Sequence, residues 1–98
     1  MTKKAAKPKR AVIPASCKSI DAVYNILARE LALPKHFGRN LDALYDALTG
    51  DVEGAFEIVV EDAKALEAAL GVKGKALLKL LRDVAKARGE AKVETKRA

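Results

Sequence analysis

The segment Phe56-Glu57-Ile58-Val59-Val60 constrains this chain more than any other. It is a run of apolar β-formers interrupted only by Glu57, so its two faces are both largely apolar, and such a run needs cover on both sides. It is predicted to be the middle strand of a sheet. The candidate neighbours are weaker. Ala11-Val12-Ile13 is short and is followed by Pro14, which has no N–H for a ladder and ends the strand or confines it to an edge. Residues 91–95 alternate as an edge strand would, with Val93 as their one large apolar side chain.

Helical patterns fill the intervals. Ser19 is placed to cap a helix running through Leu31, with Asp21 in its first turn and Ile20, Val23, Leu27 and Leu31 inward. Pro34 bars continuation, so residues 33–38 form a loop. Asn40 caps the next helix, Leu41, Leu44, Tyr45 and Leu48 make its buried stripe, and Gly50 terminates it. Glu61 and Asp62 open a third helix with Ala63, Leu66, Ala69 and Leu70 inward. Residues 71–74 then make a tight turn, and a fourth helix runs from Lys75 to about Arg88, burying Leu77, Leu80, Leu81 and Val84 before Gly89 stops it. The order is β, α, α, β, α, α, β. Strands joined by helical crossovers lie parallel. The predicted fold is therefore α/β, a three-stranded parallel sheet packed against four helices.

A chain of 98 residues, half of them apolar but with no Trp, supports one domain with an aliphatic core. Residues 1–9 offer nothing to bury and are expected to be a disordered basic tail, with the single domain spanning residues 10–96. Cys17 is the only cysteine, which suits a reducing compartment. No secretory signal or membrane span is visible, so cytoplasmic localisation is expected, with no membrane partner.

No catalytic constellation emerges. His36 and Cys17 are single residues of their type, with no third partner at a suggestive spacing, so neither catalytic residues nor a metal site are expected, nor any cofactor. Residues 71–75 are too short for a phosphate-binding loop. The pair of helices around them lacks base-reading side chains for a helix-turn-helix.

Charge is the informative feature. The net charge is +6, with Lys3, Lys4, Lys7, Lys9 and Arg10 at one end and Lys92, Lys96 and Arg97 at the other. Residues 40–62 contain no Lys or Arg and carry Asp42, Asp46, Asp51, Glu53, Glu57, Glu61 and Asp62. Asp42 and Asp46 are four apart and share a helix face opposite the leucine stripe, where like charges repel by about 0.2–0.5 kcal/mol. One reading is a solvated face. The other is that a cationic partner removes the repulsion on binding.

Here the sequence resembles a known family. Leu33-Pro34-Lys35-His36-Phe37-Gly38-Arg39-Asn40-Leu41-Asp42-Ala43-Leu44-Tyr45-Asp46-Ala47-Leu48-Thr49-Gly50 is similar to the signature of the barstar family, intracellular protein inhibitors of barnase-like ribonucleases. The resemblance extends more loosely over residues 11–93. It implies that the second helix and the loop before it plug a nuclease active site. Asp46 falls on the principal acidic anchor, in the place of an RNA phosphate, and Asp42 on the second acidic contact. His36 and Phe37 match two aromatic loop residues, Gly38 and Asn40 match further loop residues, and Thr49 and Gly50 close the matching segment. Asp83 corresponds to an acidic contact near the end of the fourth helix. The chain departs from the family in being basic overall, and in having Arg39 in place of an acid.

The expected function is inhibition of a cationic, barnase-like ribonuclease by a non-enzymatic monomer. A ribonuclease holds its phosphodiester with Arg, Lys and His, and two fixed carboxylates satisfy those cations without presenting a scissile bond. The alternatives are immunity against a different toxin on the same fold, regulation without a nuclease target, or a nucleic-acid-binding accessory role through the basic tail. The leading reading expects no direct nucleic-acid binding.

Overall fold

The computed structural model describes residues 9–34, 37–52 and 54–96. Its elements are β1 (Lys9–Ile13), α1 (Ile20–Glu30), α2 (Leu41–Asp46) continued by a π-helical turn (Ala47–Asp51), β2 (Phe56–Val60), α3 (Ala63–Leu70), α4 (Val72–Ala87) and β3 (Ala91–Thr95). The sheet order is β1-β2-β3, with both pairings parallel, so the Phe56–Val60 run is central as its composition requires. β1 includes Lys9, assigned to the tail on sequence grounds. Lys9 pairs with Phe56 in the ladder.

Alternation sorts the sheet into two faces. Ala11, Ile13, Phe56, Ile58, Val60 and Ala91 are buried and join the core with Val23, Leu27, Leu44, Leu48, Leu66, Leu77 and Leu81 from the helices. The opposite face carries the Arg10–Glu57 ion pair at 3.1 Å. Val59 also lies on it, between Val12 and Glu94 in the register, and is buried although it is outside the core cluster. The second face of β2 thus combines a buried Val59 with the paired Glu57.

Three helix starts follow their sequence signals. The Ala22 N–H donates to Ser19 Oγ at 3.1 Å, the Ala43 N–H to Asn40 Oδ1 at 2.8 Å and the Ala65 N–H to Asp62 Oδ1 at 3.0 Å. Each satisfies a donor that the first helical turn leaves free.

The helix ends depart from expectation in two places. Gly50 does not terminate α2. Its backbone is not left-handed, and the chain widens into a π turn in which the Val52 N–H donates to Ala47 O at 3.0 Å. Val52 is almost fully buried, and the wider turn delivers it to the core. The second departure is the α3–α4 junction. Gly71 alone makes the turn, with φ of 64°, and α4 begins at Val72 rather than Lys75. Gly74 lies inside α4 and is buried, because α4 crosses α3 there at close range. The expected inward position of Ala69 is exposed, while Leu78, not assigned inward from the sequence, is fully buried.

A Cβ on Gly74 would sit 3.0 Å from both Glu67 Cα and Leu66 O, which are backbone atoms that cannot step aside. Gly74→Ala is expected to lower stability by about 1–3 kcal/mol in urea unfolding. Gly50 has open space around it and a helical backbone, so Gly50→Ala is expected to raise stability by about 0.4–1 kcal/mol in the same assay.

Candidate partner-binding surface

The surface is assembled on α2 and the loop before it. Leu44 and Leu48 are fully buried, and each such side chain contributes roughly 1.5–3 kcal/mol, which fixes α2 against the core. Asp42 and Asp46 are thereby held outward and exposed. Asn40 does two things. Besides capping α2 it donates from Nδ2 to the Gly38 carbonyl at 3.2 Å, tying the loop to the helix it precedes.

The loop is braced from α1. The Phe37 ring meets Tyr24 edge-on, with centroids 5.6 Å apart, and the Phe37 N–H donates to Pro34 O at 2.9 Å. Arg39 has a left-handed backbone, with φ of 53°, immediately before the cap. Its guanidinium donates to Asn25 Oδ1 at 3.0 Å and the Asp21 carbonyl at 3.3 Å, and lies over the Tyr24 ring at 5.7 Å. The cation that replaces a family acid is therefore engaged with α1. Tyr24 sits beneath both loop residues. Burial raises its phenol above the ordinary value, the Asp21 carboxylate adds to the rise, and Arg39 opposes it.

One depression bordering the acidic ridge takes in Arg39, Asn40 and Asp42, and two more meet at Asp46. Of these two, one, between α2 and α4, is lined by half-buried Leu41, Tyr45, Ala76 and Leu80 together with Asp42, Asp46, Lys79 and Asp83. The other, on the loop side, is lined by Pro34, Phe37, Gly38, Ala43, Asp46, Ala47 and Asp51. Asp46 is the residue common to both. Asp42 and Asp46 form no ion pair among the described residues. Asp83 accepts from Lys79 Nζ at 3.0 Å, so the fold brings a cation to this groove that the local sequence lacks.

The remaining assigned residues divide. Phe37 and Gly38 line the loop-side depression with Asp46, while Asn40, bonded to Gly38, lines a neighbouring depression with Asp42. The Thr49 hydroxyl donates to the Tyr45 carbonyl at 2.7 Å, a contact inside the helix, and Gly50 is exposed in the π turn. His36 lies outside the described residues. Among the described residues, no three His, Cys, Asp or Glu side chains converge as metal ligands would. No helix there is long and apolar enough to cross a membrane.

Sequence reasoning missed Arg88. Its guanidinium donates to Leu48 O at 3.1 Å, to Gly54 O at 2.9 Å and to Glu90 Oε1 at 3.3 Å, and lies over the Phe56 ring at 5.3 Å. It joins the end of the acidic helix to the approaches of β2 and β3. The one available signal was a cation at a helix end, which is commonplace. Tyr24 was more findable, since it lies beside Val23 and three residues before Leu27 on the inward stripe.

A three-stranded α/β scaffold that holds Asp42 and Asp46 exposed, without an ion pair among the described residues and beside apolar-lined depressions, offers a surface suited to a binding protein. The chain belongs to the barstar family: the family model described as "Barstar (barnase inhibitor)" matches residues 10–97. A Bacillus subtilis (strain 168) protein described as "Putative ribonuclease inhibitor YrdF" is 32% identical over 66 residues, covering 67% of this chain and 72% of the relative. Membership in this family places the chain among inhibitor proteins, not enzymes.

Replacing Arg88 by Ala leaves the Leu48 and Gly54 carbonyls without this donor and is expected to cost about 2–4 kcal/mol in urea unfolding. Arg88→Lys should recover less than half, because one ammonium cannot fork between two carbonyls and stack on Phe56. A second expectation concerns pH. With the folded-state value of Tyr24 raised above the ordinary 10.0, its contribution is intact below that value and is lost as pH rises through the folded value. Melting temperature should therefore fall above about pH 10, and Tyr24→Phe should remove that component of the fall.

Proposed function

We propose that this protein inhibits a cationic, barnase-like ribonuclease by seating the α2 ridge and its preceding loop in the nuclease active site. The observation that carries this reading is the position of Asp46, exposed, without an ion-pair partner among the described residues, and shared by two of the depressions that border the ridge, one of them on the loop side. Its carboxylate stands where a phosphate would, and the nuclease cations meet it with charge-assisted hydrogen bonds. Asp42 supplies the second contact and Asp83, across the groove, a third. Phe37 and Gly38 form the loop-side wall, with Asn40 beside Asp42 and with His36 and Thr49-Gly50 completing the contact surface.

Family membership and the relative's description support the ribonuclease-inhibitor part of this reading. The acidic ridge supports the cationic kind of target. The inhibitor protects the cell that makes the nuclease, and the lone buried thiol of Cys17 suits the reducing interior where it would act.

The test is titration of a basic microbial ribonuclease with the parent, Asp46→Ala and Asp42→Ala, alongside thermal melts. Asp46→Ala should weaken binding by about 2–5 kcal/mol, the general range for truncating one partner of a buried charge pair, to which the barnase–barstar complex itself contributes. The variant should melt at or slightly above the parent, because the i,i+4 repulsion is relieved. Asp42→Ala should lose less, since Asp42 lies in the first turn and part of its charge already stabilises the helix N-terminus. Raising salt should slow association of the parent more than it speeds dissociation. Undiminished inhibition by Asp46→Ala would remove the acidic-plug mechanism.

A further inference from the structure

The helix that borders the acidic groove carries the opposite charge on its outer ridge. α4 contains Lys73, Lys75, Lys79, Arg82 and Lys86 against a single acid, Asp83. Lys75, Lys79, Arg82 and Lys86 are spaced by four, three and four residues, which puts them within an arc of roughly 60° on one face. That face lies opposite the buried stripe of Leu77, Leu81 and Val84. The four cations line a shallow trough together with Glu67 and Asp83. They run in single file over about 16 Å, one helical turn apart. Lys75, Arg82 and Lys86 are exposed, and Lys79 is 74% exposed while reaching Asp83.

This arrangement opposes helix stability. Each neighbouring pair along the file is a like-charge contact at i,i+3 or i,i+4. A helix selected for solubility alone interleaves signs along such a file, whereas here the acids stand to its sides. Asp83 lies toward α2, in the groove already described, and Glu67 lies on α3.

We infer that the outer ridge of α4 binds the phosphodiester backbone of a single nucleic-acid strand, with Lys75, Lys79, Arg82 and Lys86 contacting successive phosphates. A linear file of cations one turn apart complements a linear polyanion. A flat anionic surface broad enough to reach all four would also approach Glu67 and Asp83, whereas a strand one phosphate wide runs between them. α4 has no aromatic residue to stack on bases, so the contact is to the backbone and indifferent to sequence. The sequence reading, which expected no direct nucleic-acid binding, weighed the charge at the chain ends. It did not weigh the outer face of the fourth helix, in the last quarter of the chain, where these cations fall in one file.

The experiment uses the full chain and a fluorescently labelled single-stranded RNA of about twelve nucleotides, with a DNA of the same sequence, followed by anisotropy from low to physiological salt. Saturable binding of either strand is expected, with log K falling against log salt at a slope near −2 to −3, from about 0.7 per phosphate contacted. The double variant Arg82→Ala, Lys86→Ala should bind at least about fivefold more weakly and lower that slope by about 1.4. It should melt at or slightly above the parent, since like-charge contacts are relieved, and keep the parent's ribonuclease inhibition. Asp46→Ala should bind the strand as the parent does, so loss of the inhibitor reading leaves this result standing. Four outcomes overturn the inference: no binding by the parent; binding untouched by the double variant but lost when Lys3, Lys4 and Lys7 are replaced by Ala; polyglutamate competing as well as RNA; or binding to anionic lipid vesicles alone.

Discussion

The guanidinium of Arg88 is the interaction on which the working surface depends. It is largely buried, at 15% side-chain exposure, and it links parts of the chain 40 and 34 residues apart through the Leu48 and Gly54 carbonyls. Those carbonyls belong to the stretch where α2 widens and then turns toward the central strand. A helix end of this kind leaves acceptors that no backbone donor can reach. One planar cation, supported by the Phe56 ring, meets two of them and so fixes the angle at which the acidic helix leaves the sheet.

The architecture was legible from the sequence because its signals are local and agree with one another. The β2 run, the three capping residues Ser19, Asn40 and Asp62, and the leucine stripes each specify a piece, and the parallel order follows from the crossovers. Two junctions were illegible for the same reason. Gly50 and Gly74 look like punctuation, but what decides their conformation is contact with distant chain: the burial of Val52 in one case and the approach of α3 in the other. The candidate site divides likewise. Asp42, Asp46 and Asn40 were readable as a helix face and its cap. Lys79 and Arg88 were not, because their roles exist only once residues far apart in the chain are brought together, whereas Tyr24 lay beside the readable inward stripe of α1.

Charge illustrates how little a total conveys. The chain is positive overall, yet two neighbouring helices divide it into an acidic ridge on α2 and a basic ridge on α4, with the Lys79–Asp83 pair between them. At physiological salt, fields decay over about 8 Å, so a partner approaching either ridge responds to that ridge rather than to the net charge. A basic protein can in this way present a surface that attracts cations.

The close crossing at Gly74 has a consequence for recognition. A Cβ on Gly74 would already meet the α3 backbone at 3.0 Å, so at this point α4 lies against α3 with no side chain of its own in between. Asp83 rides on α4, which packs closely on α3 at this crossing, while Asp42 and Asp46 ride on a helix pinned by fully buried leucines. The three carboxylates are therefore set at fixed separations before any encounter. A partner whose cations match that spacing binds without ordering the surface first, and one whose cations do not match finds little compliance with which to improve the fit. On the proposed inhibitor reading, selectivity would reside in the stiffness of the backbone as much as in the identity of the acids.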